Sequence, residues 1–220
     1  MTAGAIRGAG VALGIVLSIS FTFLAHAAIV EGVPPAVGAA LSLVPLALLA
    51  SWAARRSHHR VGVIAAIAAV VLALAFGWKE LERHFPDLFF VEHAGANLML
   101  AILFGRTLLA GREPLVSRFA RIVHGEIPPR VERYTRKVTV AWTLFFSTLC
   151  TLSCVLYLGR FLEAWSFLAN ILSPFLIAGM FVIEYAVRLR ALPNWEQVGI
   201  LGGVRAFSRH LGRTRMESTR

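Results

Sequence analysis

Glu92, His93 and Asn97 are the residues whose types and spacing offer chemistry: two adjacent ionisable groups, with an amide one helical turn below the histidine. Ionisable side chains at membrane depth are costly and commonly serve function, so one reading is a proton relay or a polar substrate site. The other reading leaves Glu92 and His93 at headgroup level in water, with Asn97 making an interhelical hydrogen bond. His26 joins this group if the segments that carry them are neighbours. Glu184 and Arg188 stand four apart in the favourable order for a helical ion pair and read as an anchor. Cys150 and Cys154, on one helical face of an apolar stretch, read as small buried hydrophobes. The chain has no glycine-rich phosphate loop, no His pair at zinc spacing and no nucleophile elbow, so no catalytic residue, metal or cofactor is assigned.

The elements that must position these residues are apolar helices. Of 220 residues, 57% are hydrophobic and only 15% charged, and the mean hydropathy of +0.70 is well above that of an ordinary soluble domain. The charges cluster between long uncharged stretches, as in a chain that alternates between hydrocarbon and water. The fold class expected is all-α: a polytopic transmembrane helical bundle with six spans, at about 11–30, 35–52, 61–78, 89–109, 138–158 and 165–187. The domain division expected is a six-helix transmembrane domain over 1–190 and a basic cytoplasmic tail over 191–220. Gly10, Gly14, Ser18 and Thr22, continued by His26, present a small-residue stripe for close helix packing. The first stretch also imitates a signal peptide, with Ala25-His26-Ala27 resembling a cleavage site, but its length favours retention as a span. Pro86 is expected to interrupt any helix between Lys79 and Asp87, and Asn170 with Pro174 to kink the sixth span.

Between the fourth and fifth spans lies a long basic connection, 105–137, in which Pro114 to His124 reads as a short helix ended by Gly125. Leu115, Val116, Phe119, Ile122 and Val123 share one face and Ser117, Arg118, Arg121 and His124 the other, which is the pattern of an amphipathic interfacial helix in the headgroup plane. Glu132 and Arg136 follow at helical pairing distance, and a second surface helix is expected from Ile200 to Arg213. With a cytoplasmic N-terminus, 19 of the 22 Lys and Arg residues fall inside and 3 outside. That asymmetry places both termini in the cytoplasm of a multi-pass bacterial inner-membrane protein. The net charge of +10 therefore faces anionic lipid headgroups, and no nucleic-acid partner is expected.

Pro114-Leu115-Val116-Ser117-Arg118-Phe119, followed by Ala141-Trp142-Thr143-Leu144-Phe145-Phe146, resembles the intracellular septation protein A family, in which a Pro-Leu-x-x-Arg element precedes a span opening with Ala-Trp-x-Leu-Phe-Phe. The likeness runs from about the fourth span to the sixth, across a slightly longer connection. Through the Glu92-His93 and Ala141-Trp142 regions, the chain is also similar to small membrane proteins encoded among aryl-polyene and xanthomonadin-type pigment biosynthesis genes. The resemblance implies a role in envelope maintenance or lipid-like pigment assembly and transfers no catalytic residues.

Three functions follow as expectations. The first is a non-enzymatic accessory or scaffold protein whose Arg118, Phe119, Arg121, Arg130 and Arg133 dock acidic cytosolic enzymes or acyl carrier proteins. The second is a transporter or flippase for a hydrophobic product, with Glu92, His93, Asn97 and His26 in a polar pathway. The third is a membrane enzyme of unknown reaction.

Overall fold

The structure, a computed structural model, describes residues 3–31, 33–56 and 60–193. Every element among them is helical: α1 (Ala3–Val30), α2 (Pro35–Ser42), α3 (Val44–Arg56), α4 (Arg60–Phe76), α5 (Trp78–Gly105), α6 (Leu115–His124), α7 (Pro129–Leu158), α8 (Leu162–Ser166) and α9 (Ser173–Ala191). Four helical stretches, Pro35–Arg55, Trp78–Leu108, Pro129–Leu158 and Leu162–Ala191, are long and apolar enough to cross a membrane. Val16–Val30 and Ile64–Phe76 are apolar but shorter among the described residues. Large apolar side chains lie on the outside along these helices, including Phe76 at 90% and Val182 at 67% exposure. An apolar exterior of this extent is a liability in water and the expected surface in lipid, so the chain reads as membrane-embedded. The surface helix expected at 200–213, and the tail beyond 193, lie outside the described residues.

Three expectations about the helices need correction. Pro86 does not break the chain, because α5 runs through it from Trp78, and the charged stretch 79–87 forms the helix's first turns. A proline lacks only its own N–H, and a helix of this length supplies enough other bonds to carry the gap. Trp78 opens α5 where the third span was expected to end, and Gly77 alone separates it from α4. The Gly77 N–H still bonds Ala73 O, while its carbonyl accepts from Glu80 and Leu81. In the stripe on α1, from Gly14 onward, Gly14 and Ser18 are exposed, and the Ser18 and Thr22 hydroxyls bond their own helix at Gly14 O and Ser18 O.

The irregularity expected near Pro174 is present and takes a specific form. Residues 167–172 wind as a π-helix between α8 and α9. Pro174 cannot donate to the carbonyl four residues earlier, and the wider turn absorbs that loss.

The chain forms two compact units. The first comprises the residues up to Gly95 with Leu152–Phe175, and the second comprises Ala96–Thr151 with the chain from Leu176. In the first, the small residues Ala25 and Ala28 on α1 and Ala39 on α2 share a core with Phe85, Phe89 and Trp165. The α1 and α5 segments thus meet in one core. Gly38 is required here, since a Cβ would lie 2.5 Å from Phe85 Cε2. Gly38→Val should therefore lower stability by about 1–3 kcal/mol through overpacking, measured as the unfolding midpoint in detergent. A midpoint equal to that of the unaltered chain would refute the contact.

The second unit is built on Trp142 and Phe146, one turn apart on α7, packed with Ala101 and Val138 and flanked by Phe104, Phe145 and Met180. The aromatic element 141–146 thus supplies this unit's core. Tyr134 donates to Glu184 Oε1 at 3.1 Å, and Arg188 stands 3.8 Å from the same carboxylate, so the anchor expected at Glu184 and Arg188 exists with a third member.

Candidate functional site

In the first unit His93 is the centre of a partly buried hydrogen-bond chain to which three other helices contribute: α7 supplies Ser153, α8 supplies Trp165 and α9 supplies Ser173. The direction of each bond follows from its ends. An indole can only donate, so Trp165 Nε1–H gives to Ser153 Oγ at 2.9 Å. A carbonyl can only accept, so the Ser173 hydroxyl gives its proton to Leu168 O at 2.7 Å, a carbonyl within the π-helix. Ser173 Oγ must then accept from His93 Nε2–H at 3.0 Å, leaving Nδ1 to accept from the Ser153 hydroxyl at 3.0 Å. One ring proton, on Nε2, satisfies every member.

These bonds run from an indole to a backbone carbonyl. They tie α5, α7 and the π-helical segment together and satisfy the carbonyl that the wide turn exposes. His93 is half-buried. Glu92 Oε1 is buried with no hydrogen-bond partner among the described residues, which departs from a headgroup-level position in water. Asn97 is buried and belongs to the second unit.

His26 lies in the same unit as His93 and holds Ser166 Oγ through Nδ1 at 2.9 Å, while Asn170 Nδ2 donates to both oxygens of Ser166 at 3.2 Å. It also lines an open pocket of about 650 Å³ with Arg160, Phe161, Leu162, Glu163 and Phe167. Ser153, Ser166 and Ser173 carried no signal in the sequence beyond being polar residues inside apolar stretches, and Trp165, whose place at the start of the sixth span reads as an interface marker, is fully buried. Among the described residues no cluster of three or more His, Cys, Asp or Glu side chains is placed to hold a metal ion.

The second unit carries the basic residues of the 105–137 connection. The expected helix α6 forms, with Pro114 before it and Gly125 after it at φ 79°. Its facing differs from the expectation at Ser117, which is fully buried at 0% exposure and pairs with Thr135 of α7 at 2.6 Å. The cause is capping. The first backbone N–H groups of a helix need acceptors, and those of Leu115 and Val116 find Thr107 Oγ1 at 3.0 Å and Thr139 Oγ1 at 3.3 Å. That contact turns the Ser117 edge inward and leaves Arg118, Phe119 and Arg121 exposed.

The four arginines separate by what they touch. Arg121 pairs with Glu113 at 2.8 Å, and Arg130 donates to Ala191 O at 2.9 Å, closing the C-terminus of α9. Arg118 and Arg133 are exposed and form no ion pair or hydrogen bond among the described residues. Arg136, expected to pair with Glu132, donates to Leu108 O at 3.2 Å.

No family model matches the chain, and neither a curated protein nor a solved structure is similar to it.

Proposed function

We propose that this chain is a non-enzymatic accessory protein of a bacterial inner membrane that docks acidic partners, such as acyl carrier proteins, on its basic connection. The observation that carries this reading is the pair of exposed, unpartnered guanidinium groups of Arg118 and Arg133 on the packed helices α6 and α7, with the exposed ring of Phe119 beside them. The 105–137 connection holds eight Lys or Arg against three Glu, and opposed charge speeds encounter and selects partners. Anionic headgroups answer the same charge, with α6 lying in the headgroup plane. The resemblance of the 114–119 and 141–146 elements makes envelope maintenance, and that of the Glu92-His93 and Ala141-Trp142 regions lipid-like pigment assembly, the process served. The test is retention of an acidic acyl carrier protein by the purified chain and by Arg118→Glu with Arg133→Glu.

The topology within this reading is six spans with both ends cytoplasmic, supported by the 19 to 3 division of positive charge. α1 and α4 supply the two spans beyond the four long ones. Reporter fusions after Arg60 and Lys137 should read cytoplasmic and one after Glu31 periplasmic. A periplasmic reading at Lys137 would sink the arrangement.

A second reading, a transporter or flippase for a hydrophobic product, is favoured by the unpartnered Oε1 of Glu92. The bonds from His93 to Ser153 and Ser173 weigh against it, because they hold helices together.

A further inference from the structure

We propose that the pocket at Arg160 is a phospholipid site that recognises a headgroup carrying both phosphate and ammonium. Its backbone is the first sign. α7 closes with Phe161 N–H on Leu156 O and Arg160 N–H on Tyr157 O, the pattern of a helix end whose left-handed residue is usually glycine. Here that residue is Arg160, at φ 65°. The neighbouring Gly159 cannot exchange roles with it, since a Cβ at 159 would lie 2.8 Å from Val155 O and 2.9 Å from the Phe161 ring. A side chain in the left-handed region is strained, and such strain concentrates at binding sites.

The charges give the second sign. Arg160 and Glu163 both line the pocket, three residues apart, with no ion pair or hydrogen bond to a described side chain, although the Arg160 guanidinium lies within electrostatic reach of the Asp87 carboxylate. His26 adds a third polar group: its Nδ1 is on Ser166, and its Nε2 has no partner among the described residues. A guanidinium with a nearby imidazole suits a phosphate, and the separate carboxylate suits an ammonium. A purely anionic headgroup would satisfy Arg160 and be opposed by Glu163.

The walls and the place give the third. Phe161 is 62% exposed and Phe167 49% exposed, so apolar surface continues from the polar groups outward. The pocket forms where apolar helices stop, after Leu158, before Leu162 and one turn from the end of α1 at Val30. That is where a headgroup sits with its chains along the helices. Its volume of about 650 Å³ falls inside the range of about 300–1,000 Å³ usual for small-ligand pockets.

The test uses the full chain reconstituted in vesicles of equal phosphatidylethanolamine and phosphatidylglycerol, extracted in detergent, with retained lipid measured by mass spectrometry. Retention should favour phosphatidylethanolamine about tenfold, Glu163→Gln should bring the two lipids near parity, and Arg160→Gln should lower both about tenfold. Equal retention by the unaltered chain, or a preference that survives both substitutions, overturns the site. Free phosphoethanolamine that binds as tightly as the lipid overturns the phospholipid assignment. Glu163 is exposed and unpartnered, so Glu163→Gln decides the matter even if Arg160→Gln disturbs the turn. The outcome is independent of carrier docking, whose arginines lie in the other unit.

Discussion

Trp165→Ala should destabilise the folded chain by about 3–5 kcal/mol, the usual cost of emptying an aromatic core position. Trp165 is the largest completely buried side chain among the described residues, and its ring meets Tyr157 at 5.0 Å and Phe90 at 6.3 Å, both edge-on. In lipid the loss is one of packing more than of transfer from water, because the surrounding acyl chains are as apolar as the core. Trp165→Phe separates the two contributions, since it keeps a ring and removes the N–H that Ser153 accepts. Interhelical hydrogen bonds in membranes average about 0.6 kcal/mol, so the phenylalanine variant should lose far less. The measurement is unfolding of purified protein by denaturing detergent. Equal losses in the two variants would show that the ring does not fill a core.

Reversing Arg118 and Arg133 to glutamate should weaken retention of an acidic carrier by about tenfold or more per charge at low salt, with the difference shrinking as salt is raised. These two arginines make the cleaner test. Reversal at Arg121 also breaks the Glu113 pair, and reversal at Arg130 removes the donor on Ala191 O. Adding those reversals should deepen the loss, whereas Glu92→Gln with His93→Ala should leave retention unchanged. The transport reading predicts the opposite in an export assay. Protein abundance must be matched, since His93→Ala removes two hydrogen bonds that hold α7 and α9. If the Glu92 and His93 variant fails at normal abundance while the arginine variant works, docking is the wrong function.

Much of the architecture follows from local chemistry. Long apolar stretches bounded by charge become helices because a backbone in hydrocarbon must satisfy its own hydrogen bonds. For the same local reason Pro114 and Gly125 bound α6, Pro174 falls at an irregular turn, and Glu184 meets Arg188. Pro86 was misleading because the cost of one missing N–H is judged against the whole helix around it. The site was legible only in part. Glu92, His93 and His26 stand out by being ionisable in apolar sequence, but their roles depend on partners far along the chain. His93 meets Ser153 and Ser173 across 60 and 80 residues, and His26 meets Ser166 across 140. The facing of α6 was likewise decided by Thr107, Thr135 and Thr139, hydroxyls that a helical wheel of residues 115–124 does not contain. The sequence by itself determined which stretches are helical and where charge collects, because those depend on neighbours within a turn or two. Tertiary structure alone decided which polar groups are joined, which stay unpaired and where the Arg160 pocket opens, because each depends on helices distant in sequence approaching to within a hydrogen bond.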